Sequence, residues 1–588
     1  MHRNHRLALC EATMVFILFL MVLPSLSAQP QTPAAPPSEQ QNSASPAPEA
    51  DAARPPGTAT FRSQSSYVTV PVVVTDTYGI HFPGLNKEDF VVKQNGKPQR
   101  IDHLQEFRAA SSGPVRRLPQ PPEIFTNQLE PQSPQRLVIL AVDAINTALM
   151  DQSYARAELL QAVGKGIAPN ELVSLVSVGQ GGRIKVLHDF TTDSSVLLAA
   201  LRRVRPRSNT VANIQADEAE AITWEAQAEV AALTDWQTEM ARRMGEKSQV
   251  EASEQGWIAV QDTLSAFQQI ADAYTGVPGR KELLWMTSGF PFTLSGDLST
   301  IEDVLPGYEA AWQALIQANI AVYPIDVQGL INAGFVGADM ATPRNPISGG
   351  TSPQAADLMR GRQIDAYYDT HATMDMFAGM TGGRAFYNTN DLAGAVRKAA
   401  EISGSYYLIG YYLDKKTKPG WQKLQVQVIR PGTLVSARSG FFVGPALSPD
   451  ARREADLRGA LNSPIDFTAL PVSVRWAETA PAPGSPKQTR KFQIALPAGA
   501  EAIDETDGNR MRLEFLAVAR DDAGKVAGQF AQKIDQRLTP EALSQLRAHP
   551  AIFEYSIDLP PGDYRVRFVA RDDLTGRMGS VSAPVKVP

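Results

Sequence analysis

The sequence predicts an α/β protein built on a doubly wound parallel sheet, Rossmann-like in plan, flanked by β-sandwich segments of immunoglobulin-like type. Two observations carry that expectation. Apolar runs at Leu137–Val142, Glu282–Thr287 and Ile320–Asp326 alternate with helical patterns, and a strand apolar on both faces belongs inside a parallel sheet. Outside that zone, β-branched runs are punctuated by Asn95-Gly96, Pro419-Gly420 and Pro431-Gly432, which is the turn chemistry of antiparallel hairpins.

The elements follow in chain order. Arg3 and Arg6 precede a ten-residue apolar run, Met14–Leu23, and Pro24 ends it before the small residues Ser25–Ala28. Residues 1–28 are therefore expected to be a signal peptide cleaved near Ala28. The run is too short to span a bilayer, which takes ~20 apolar residues, and no later segment reaches that length. The expectation is an exported protein with no membrane span after cleavage, in the periplasm, the cell envelope or outside the cell. Cys10 is the one cysteine of the chain and lies in the cleaved part. Disulfides, cysteine zinc sites, iron–sulfur clusters and thiol nucleophiles are excluded together. Residues 29–60, rich in Pro, Ala and Ser, read as a disordered linker.

Residues 61–108 form an N-terminal β segment, with strands at Tyr67–Val74, Asp89–Lys97 and Ile101–Phe107. A second Pro-rich linker covers 109–134. The α/β domain spans 135–404. Its β pattern gives way to a second β segment at 405–445, with strands at Tyr406–Leu413, Lys423–Arg430 and Val435–Val443. Neither β segment can bury a core alone, so the two are expected to pair. Val70, Val72 and Val74 offer one inward face, and Leu424, Val426 and Val428 the other. Residues 450–588 read as a separate C-terminal β-sandwich with one short helix near Pro540–Leu546.

Lys and Arg number 56 against 62 Asp and Glu, a formal charge of −6, so nucleic acid is not an expected partner. The acidic stretch 213–256 holds ten carboxylates and three basic residues, a net charge of −7. Ile222, Ala226, Val230, Leu233, Met240 and Met244 recur at steps fitting one helical face. Trp224 and Trp236 fall off that stripe and are expected to be exposed. The stretch reads as a helical insertion, either packed on the domain or serving to dock a partner.

Strand ends deliver the candidate site, since ligands of open α/β sheets sit beyond the carboxyl ends of the strands. Asp143-Ala144-Ile145-Asn146-Thr147 follows the first strand, Thr287-Ser288-Gly289 a later one, and Ser208-Asn209-Thr210 a helix. Together with Val70-Pro71-Val72, Asp89-Phe90, Asn95-Gly96-Lys97-Pro98, Asp189-Phe190-Thr191, Gly279-Arg280-Lys281, Tyr323-Pro324-Ile325-Asp326 and Arg438-Ser439-Gly440-Phe441-Phe442, this arrangement resembles the von Willebrand factor type A (VWA) fold. More closely, residues 61–445 resemble the type A-related family named from acidobacterial proteins.

That resemblance implies a metal-ion-dependent adhesion site, in which an Asp-x-Ser-x-Ser motif, a threonine and an aspartate hold a divalent cation through oxygen atoms. Asp143 matches the first ligand, Thr147 the last hydroxyl and Thr210 the loop threonine. Ile145 replaces the middle serine, and Ser288 stands where the pattern has aspartate. The site is thus degenerate, and the expectation is no cofactor or weakly bound Mg²⁺. A competing role for Asp143 is to cap backbone N–H groups of its own loop.

The same residues fall short of enzymatic motifs. Met286 stands two before Ser288, where a nucleophile elbow needs glycine. None of His81, His103, His188, His371 and His549 has metal-ligand spacing. Gly179–Gly182 leads into a strand and cannot place a helix N-terminus under a phosphate. The sequence therefore points to a non-enzymatic exported protein mediating protein–protein interaction or adhesion in the cell envelope, with an unidentified protein partner. A structural component of an envelope assembly and a hydrolase using the crevice stay open as alternatives.

Overall fold

The computed structural model describes residues 67–108, 123–128, 136–165, 171–206, 220, 221, 223, 224, 234–290, 298–329, 370–414, 416–444, 448–477 and 488–588. Residues 1–28, the 29–60 linker, most of 109–134 and Thr210 lie outside them.

The chain enters through β1 (Tyr67–Thr75), β2 (Phe90–Gln94), β3 (Lys97–Gln99), β4 (His103–Phe107) and a short β5 (Ile124–Thr126). An α/β region follows: β6 (Arg136–Asp143), α1 (Leu149–Gly164), β7 (Glu171–Gly179), β8 (Arg183–Thr191), α2 (Ser194–Arg203), α3 (Asp235–Tyr274), β9 (Lys281–Thr287), α4 (Leu298–Gln317) and β10 (Ile320–Asp326). It closes with α5 over 370–381 and α6 (Leu392–Ser403).

The central sheet has the order β10-β9-β6-β7-β8. Its first four strands are parallel, and β8 is antiparallel to β7. The sheet is therefore mixed, not wholly parallel as the apolar runs predict. The reason is the connection: β7 reaches β8 through Gln180–Gly182 alone, whereas parallel pairing needs a crossover of a dozen residues. Gly182 has a φ of 63°, and a Cβ there would lie 2.5 Å from the Asp262 carbonyl oxygen. Only glycine fits that turn without strain.

Strand β6 serves two cores by alternation. Leu137, Ile139 and Ala141 pack with Leu264 and Phe267 of α3 and Trp312 of α4. Val138, Leu140 and Val142 pack with Leu159 of α1, Leu197 of α2 and Val396 of α6. Each large apolar side chain buried this way contributes about 1.5–3 kcal/mol.

Beyond the α/β region come β11 (Tyr406–Tyr412), β12 (Gly420–Val428), β13 (Leu434–Ala437) and β14 (Gly440–Val443). They share sheets with the N-terminal strands, in the orders β13-β1-β11-β4 and β14-β12-β2-β3. Val70 pairs with Ile409 and Val72 with Tyr407, while Val426 pairs with Val92. Val70, Val72, Val74 and Leu424 are buried and Val426 and Val428 partly so, all in the core cluster that also holds Phe267 and Trp285. The split sandwich and one face of the central sheet thus bury a common core.

The C-terminal region comprises α7 (Pro449–Asn462), β15 (Ser473–Trp476), β16 (Gln488–Leu496), β17 (Arg510–Arg520), β18 (Val526–Arg537), α8 (Pro540–Ala548), β19 (Ala551–Leu559), β20 (Gly562–Asp572) and β21 (Met578–Val587). Two four-stranded sheets, β19-β16-β15-β5 and β18-β17-β20-β21, bury Phe492, Phe515 and Phe568 between them. Strand β5 lies inside the stretch assigned as a linker by its prolines. It pairs with β15, Phe125 opposite Val474, because an edge strand offers unpaired N–H and C=O groups to any extended chain nearby. Contact between the α/β region and this part is close at Gly276, whose carbonyl accepts from Thr468 N at 3.1 Å. A Cβ at Gly276 would fall 2.0 Å from the Phe467 ring. Gly276→Ala is therefore expected to lower stability by about 1–3 kcal/mol, readable as a shift in the thermal unfolding midpoint.

The acidic stretch runs directly into α3, a single 40-residue helix opened by Thr234 and Gln237 as a capping box. Its first half buries Ala241, Gly245, Ser248 and Ala252. Met240, expected inward, is 39% exposed, because the buried face of this half is made of small residues that allow close approach. Trp224, expected outward, is buried, and its indole N–H donates to Glu220 one turn earlier at 3.2 Å. Trp236 is 71% exposed. Ile222, Ala226, Val230 and Leu233 lie outside the described residues.

Candidate functional site

The crevice sits where β6 has β7 on one side and β9 on the other, the point at which an α/β sheet opens between diverging connections. Asp143 ends β6 and is fully buried. Its Oδ1 accepts from the backbone N–H groups of Ile145 at 2.8 Å and Asn146 at 3.2 Å. Its Oδ2 accepts from Asn146 Nδ2 at 2.8 Å, Trp285 Nε1 at 3.2 Å and Thr287 Oγ1 at 2.8 Å. Four N–H donors thus converge on one carboxylate, and the single Thr287 hydroxyl proton has both it and the Gly289 carbonyl, at 2.6 Å, as acceptors. Burial pushes the Asp143 pKa up, and the hydrogen bonds from Asn146, Thr287 and Ile145 pull against it. A carboxylate offers about four lone-pair positions, so the four N–H donors already saturate it.

The other site residues are placed around this hub. Ile145 is fully buried in the core cluster of α3 and α4, so its side chain belongs to packing. Thr147 Oγ1 accepts from the backbone N–H of Ser288 at 3.2 Å, which ties the β6–α1 loop to the β9 end. Ser288 Oγ donates to Asp151 Oδ2 at 2.9 Å. Thr210 lies outside the described residues.

Thr263 and Asp151 are not marked as site residues by the sequence, whereas Asn146 and Asp326 stand in its strand-end segments. Asn146 bridges Asp143 and Thr263 Oγ1 at 2.8 Å, fixing the loop to α3. Its own Oδ1 is buried without a hydrogen-bond partner. Asp151, in the first turn of α1, has its pKa raised mainly by burial, lowered by Ser288 and raised again by the charge of Asp326. Asp326 ends β10 and its Oδ2 lies 3.0 Å from His371 Nε2. His371 stacks on Tyr387 at 4.1 Å between ring centroids. Gly289 brings α5 up to the same rim, since a Cβ there would lie 3.1 Å from the Thr370 side chain. The signal for Asp151 was its place four residues after Thr147, in the first helical turn; nothing local marks Thr263 or His371.

The crevice therefore gathers Ser288, Asp151, Asp326 and His371, with Asp143 beneath as an organiser. Among the described residues no group of three His, Cys, Asp or Glu is placed to hold a metal ion. The rim at the start of α1 is apolar and open, with Leu149 46% and Met150 79% exposed. No helix among the described residues is long and apolar enough to cross a membrane.

Compared by sequence, the chain matches no family profile and no characterised protein. Compared by structure, it is similar to an aerotolerance-related membrane protein from Bacteroides fragilis, 14% identical, over 45% of this chain and 98% of that one, with a TM-score of 0.25. It is also similar to the vWF domain of a type V pili tip protein from Porphyromonas gingivalis, 16% identical, over 26% and 38% of the two chains, with a TM-score of 0.13. A third is an ArnB paralog, VWA2, from Sulfolobus acidocaldarius, 8% identical over 84% and 74%, with a TM-score of 0.20. Von Willebrand factor A-domain proteins are thus among the structural neighbours, at low identity.

Proposed function

We propose that the chain is an exported, non-enzymatic binding protein of type A-like build, related to the acidobacterial type A family, that makes protein–protein contacts in the cell envelope through a degenerate, metal-independent site. The observation that carries this reading is the saturation of Asp143 by four N–H donors, with the Thr287 hydroxyl beside them. A carboxylate spent on its own loop and on Trp285 and Thr287 is a scaffold, and the loop it holds presents the exposed Leu149 and Met150 at the crevice rim. An exposed apolar pair that includes a methionine, with polar groups around it, fits the apolar-centre, polar-rim make-up of a contact surface. A hydrolase reading finds less support. Ser288 Oγ does donate to a carboxylate, Asp151, as an activated nucleophile must, but Met286 stands where a nucleophile elbow needs glycine and the nearby His371 is directed at Asp326.

Two measurements test the reading. Thermal unfolding in millimolar Mg²⁺ and in EDTA is expected to give the same midpoint, since a bound ion would stabilise by mass action. A raised midpoint in Mg²⁺ that disappears in Asp143→Ala would overturn the metal-independent assignment. Capture of a partner from envelope extracts is expected with the full chain and lost with Met150→Glu, which plants a charge at the rim; capture unchanged by that substitution would move the contact surface elsewhere.

A further inference from the structure

On the other side of the β6 end from Thr287 lies a cleft of about 690 Å³, walled by the carboxyl ends of β6 and β7, the β7–β8 hairpin, α1 and the end of α2. Five cationic side chains line it: Arg156, Arg183, Lys185, Arg203 and Arg205. No aspartate or glutamate is among its described lining residues. We propose that this cleft binds a small polyanion of the phosphate-ester class.

The first reason is electrostatic. Like charges brought to one concave surface repel, and a low-dielectric wall focuses their field outward into the cleft. The chain as a whole is negative, so this concentration runs against its overall sign. Several arginines elsewhere are neutralised. Arg453 pairs with Glu514, Arg510 and Arg512 with Asp535, and Arg537 with Asp507. Among the described residues none of the five cleft cations has a carboxylate partner within ion-pair distance.

The second reason is geometric. Arg156 Nη1 donates to the Val204 carbonyl at 3.1 Å, which anchors the guanidinium on the α2 side. Its Nε is buried and has no hydrogen-bond partner. A planar guanidinium anchored through one Nη keeps its other Nη donors, and its fork is suited to donating paired hydrogen bonds to phosphate oxygens. Val142, Val178 and Leu187 add an apolar wall, and the volume lies in the range of small-molecule sites. An organic phosphate fits both features: its charged end meets the cations and its carbon skeleton the wall.

Pyrophosphate, titrated into the full chain by calorimetry, is the probe. Binding is expected at low ionic strength and should weaken as salt rises. Arg183→Ala with Lys185→Ala, both exposed on the edge strand β8, should weaken it at least about tenfold, the scale of losing two charge-assisted contacts, with the thermal midpoint unchanged. Arg202→Ala removes an exposed neighbour on α2 outside the cleft lining and should leave affinity within about twofold. Arg156→Gln, which keeps a donor but not the fork, should weaken binding without abolishing it. Absence of measurable heat at millimolar pyrophosphate would overturn the proposal. So would equal weakening by Arg202→Ala and by the Arg183/Lys185 pair, which marks diffuse surface attraction. Glucose 6-phosphate binding more tightly than inorganic phosphate would show that the apolar wall is used; equal affinity would overturn the phosphate-ester assignment.

Discussion

Replacing Asp143 by alanine is expected to cost about 3–5 kcal/mol of unfolding free energy, read as a drop in the denaturation midpoint with urea. The loss comes from the donors left behind. Two backbone N–H groups, the Trp285 indole and the Asn146 amide all point at this carboxylate, while the Thr287 hydroxyl keeps the Gly289 carbonyl as an acceptor. Each buried donor without an acceptor costs about 1–3 kcal/mol, partly relieved by water entering the cavity. Asp143→Asn separates organiser from ligand. An asparagine keeps one acceptor oxygen, yet its NH₂ must face donors from whichever side it turns, so nearly the same loss is expected. A metal ligand would behave differently, with wild type losing stability in EDTA and the variants not. A loss below about 1 kcal/mol in Asp143→Ala would sink the organiser role.

Much of the α/β region was legible because its signals are local. The run Leu137–Val142 has apolar residues at every position, and the structure uses them alternately against two cores. The turn at Gln180–Gly182 was legible as a hairpin from its glycines, and that hairpin is what makes the sheet mixed. Strand β5 was hidden, since three residues among prolines carry no period; what orders Ile124–Thr126 is the free edge of β15, three hundred and more residues away. Helix α7 was also missed, although Ser448 and Pro449 form a legible start. Its apolar face is confined to its last turns, where Leu457, Ala460 and Leu461 pack with Phe467 and Val569. Its first turns are polar and held by bonds such as Arg453 to Glu514 at 2.6 and 2.7 Å; one apolar turn is too short a period to mark a helix.

At the candidate site, the position of Asp143 followed from the strand that ends there. The same reasoning placed Asn146 and Thr287 at the strand ends, but not the contacts of Trp285 with Asp143 or of Thr263 with Asn146. Both lie more than a hundred residues along the chain, and only tertiary packing brings them to the loop. A sequence motif names first ligands; whether a carboxylate has lone pairs to spare depends on such distant donors. Ile145 illustrates the same limit from the other direction. Its loss of a ligand oxygen was legible, whereas its burial among α3 and α4 residues explains why a serine would be disfavoured there on packing grounds as well.

Lys281→Met is expected to remove a pH dependence of stability that wild type has between pH 7 and pH 9. Lys281 opens β9 and is 1% exposed. Its Nζ donates to the carbonyls of Val277 at 2.6 Å and Gly279 at 2.9 Å, and among the described residues no carboxylate pairs with it. Burial pushes its pKa down to about 7. An unfolded lysine keeps its proton up to pH ~10.4. Between those values the unfolded chain binds more protons than the folded one, so stability rises with pH. Below pH 7 both states are protonated and the penalty is constant; above pH ~10.4 both are neutral and it is gone. Across pH 7 to 9 the wild type should gain about 2 kcal/mol relative to Lys281→Met. Taking the difference between the two proteins cancels the titration of every other group. The absolute effect at pH 7 is smaller, because methionine leaves two carbonyls without their donor at about 1–3 kcal/mol each, against the relief of a buried charge. Parallel denaturation curves in buffers from pH 7 to 9 decide it. Equal slopes for the two proteins would mean that Lys281 stays charged in the fold, held by those carbonyls strongly enough to offset its burial.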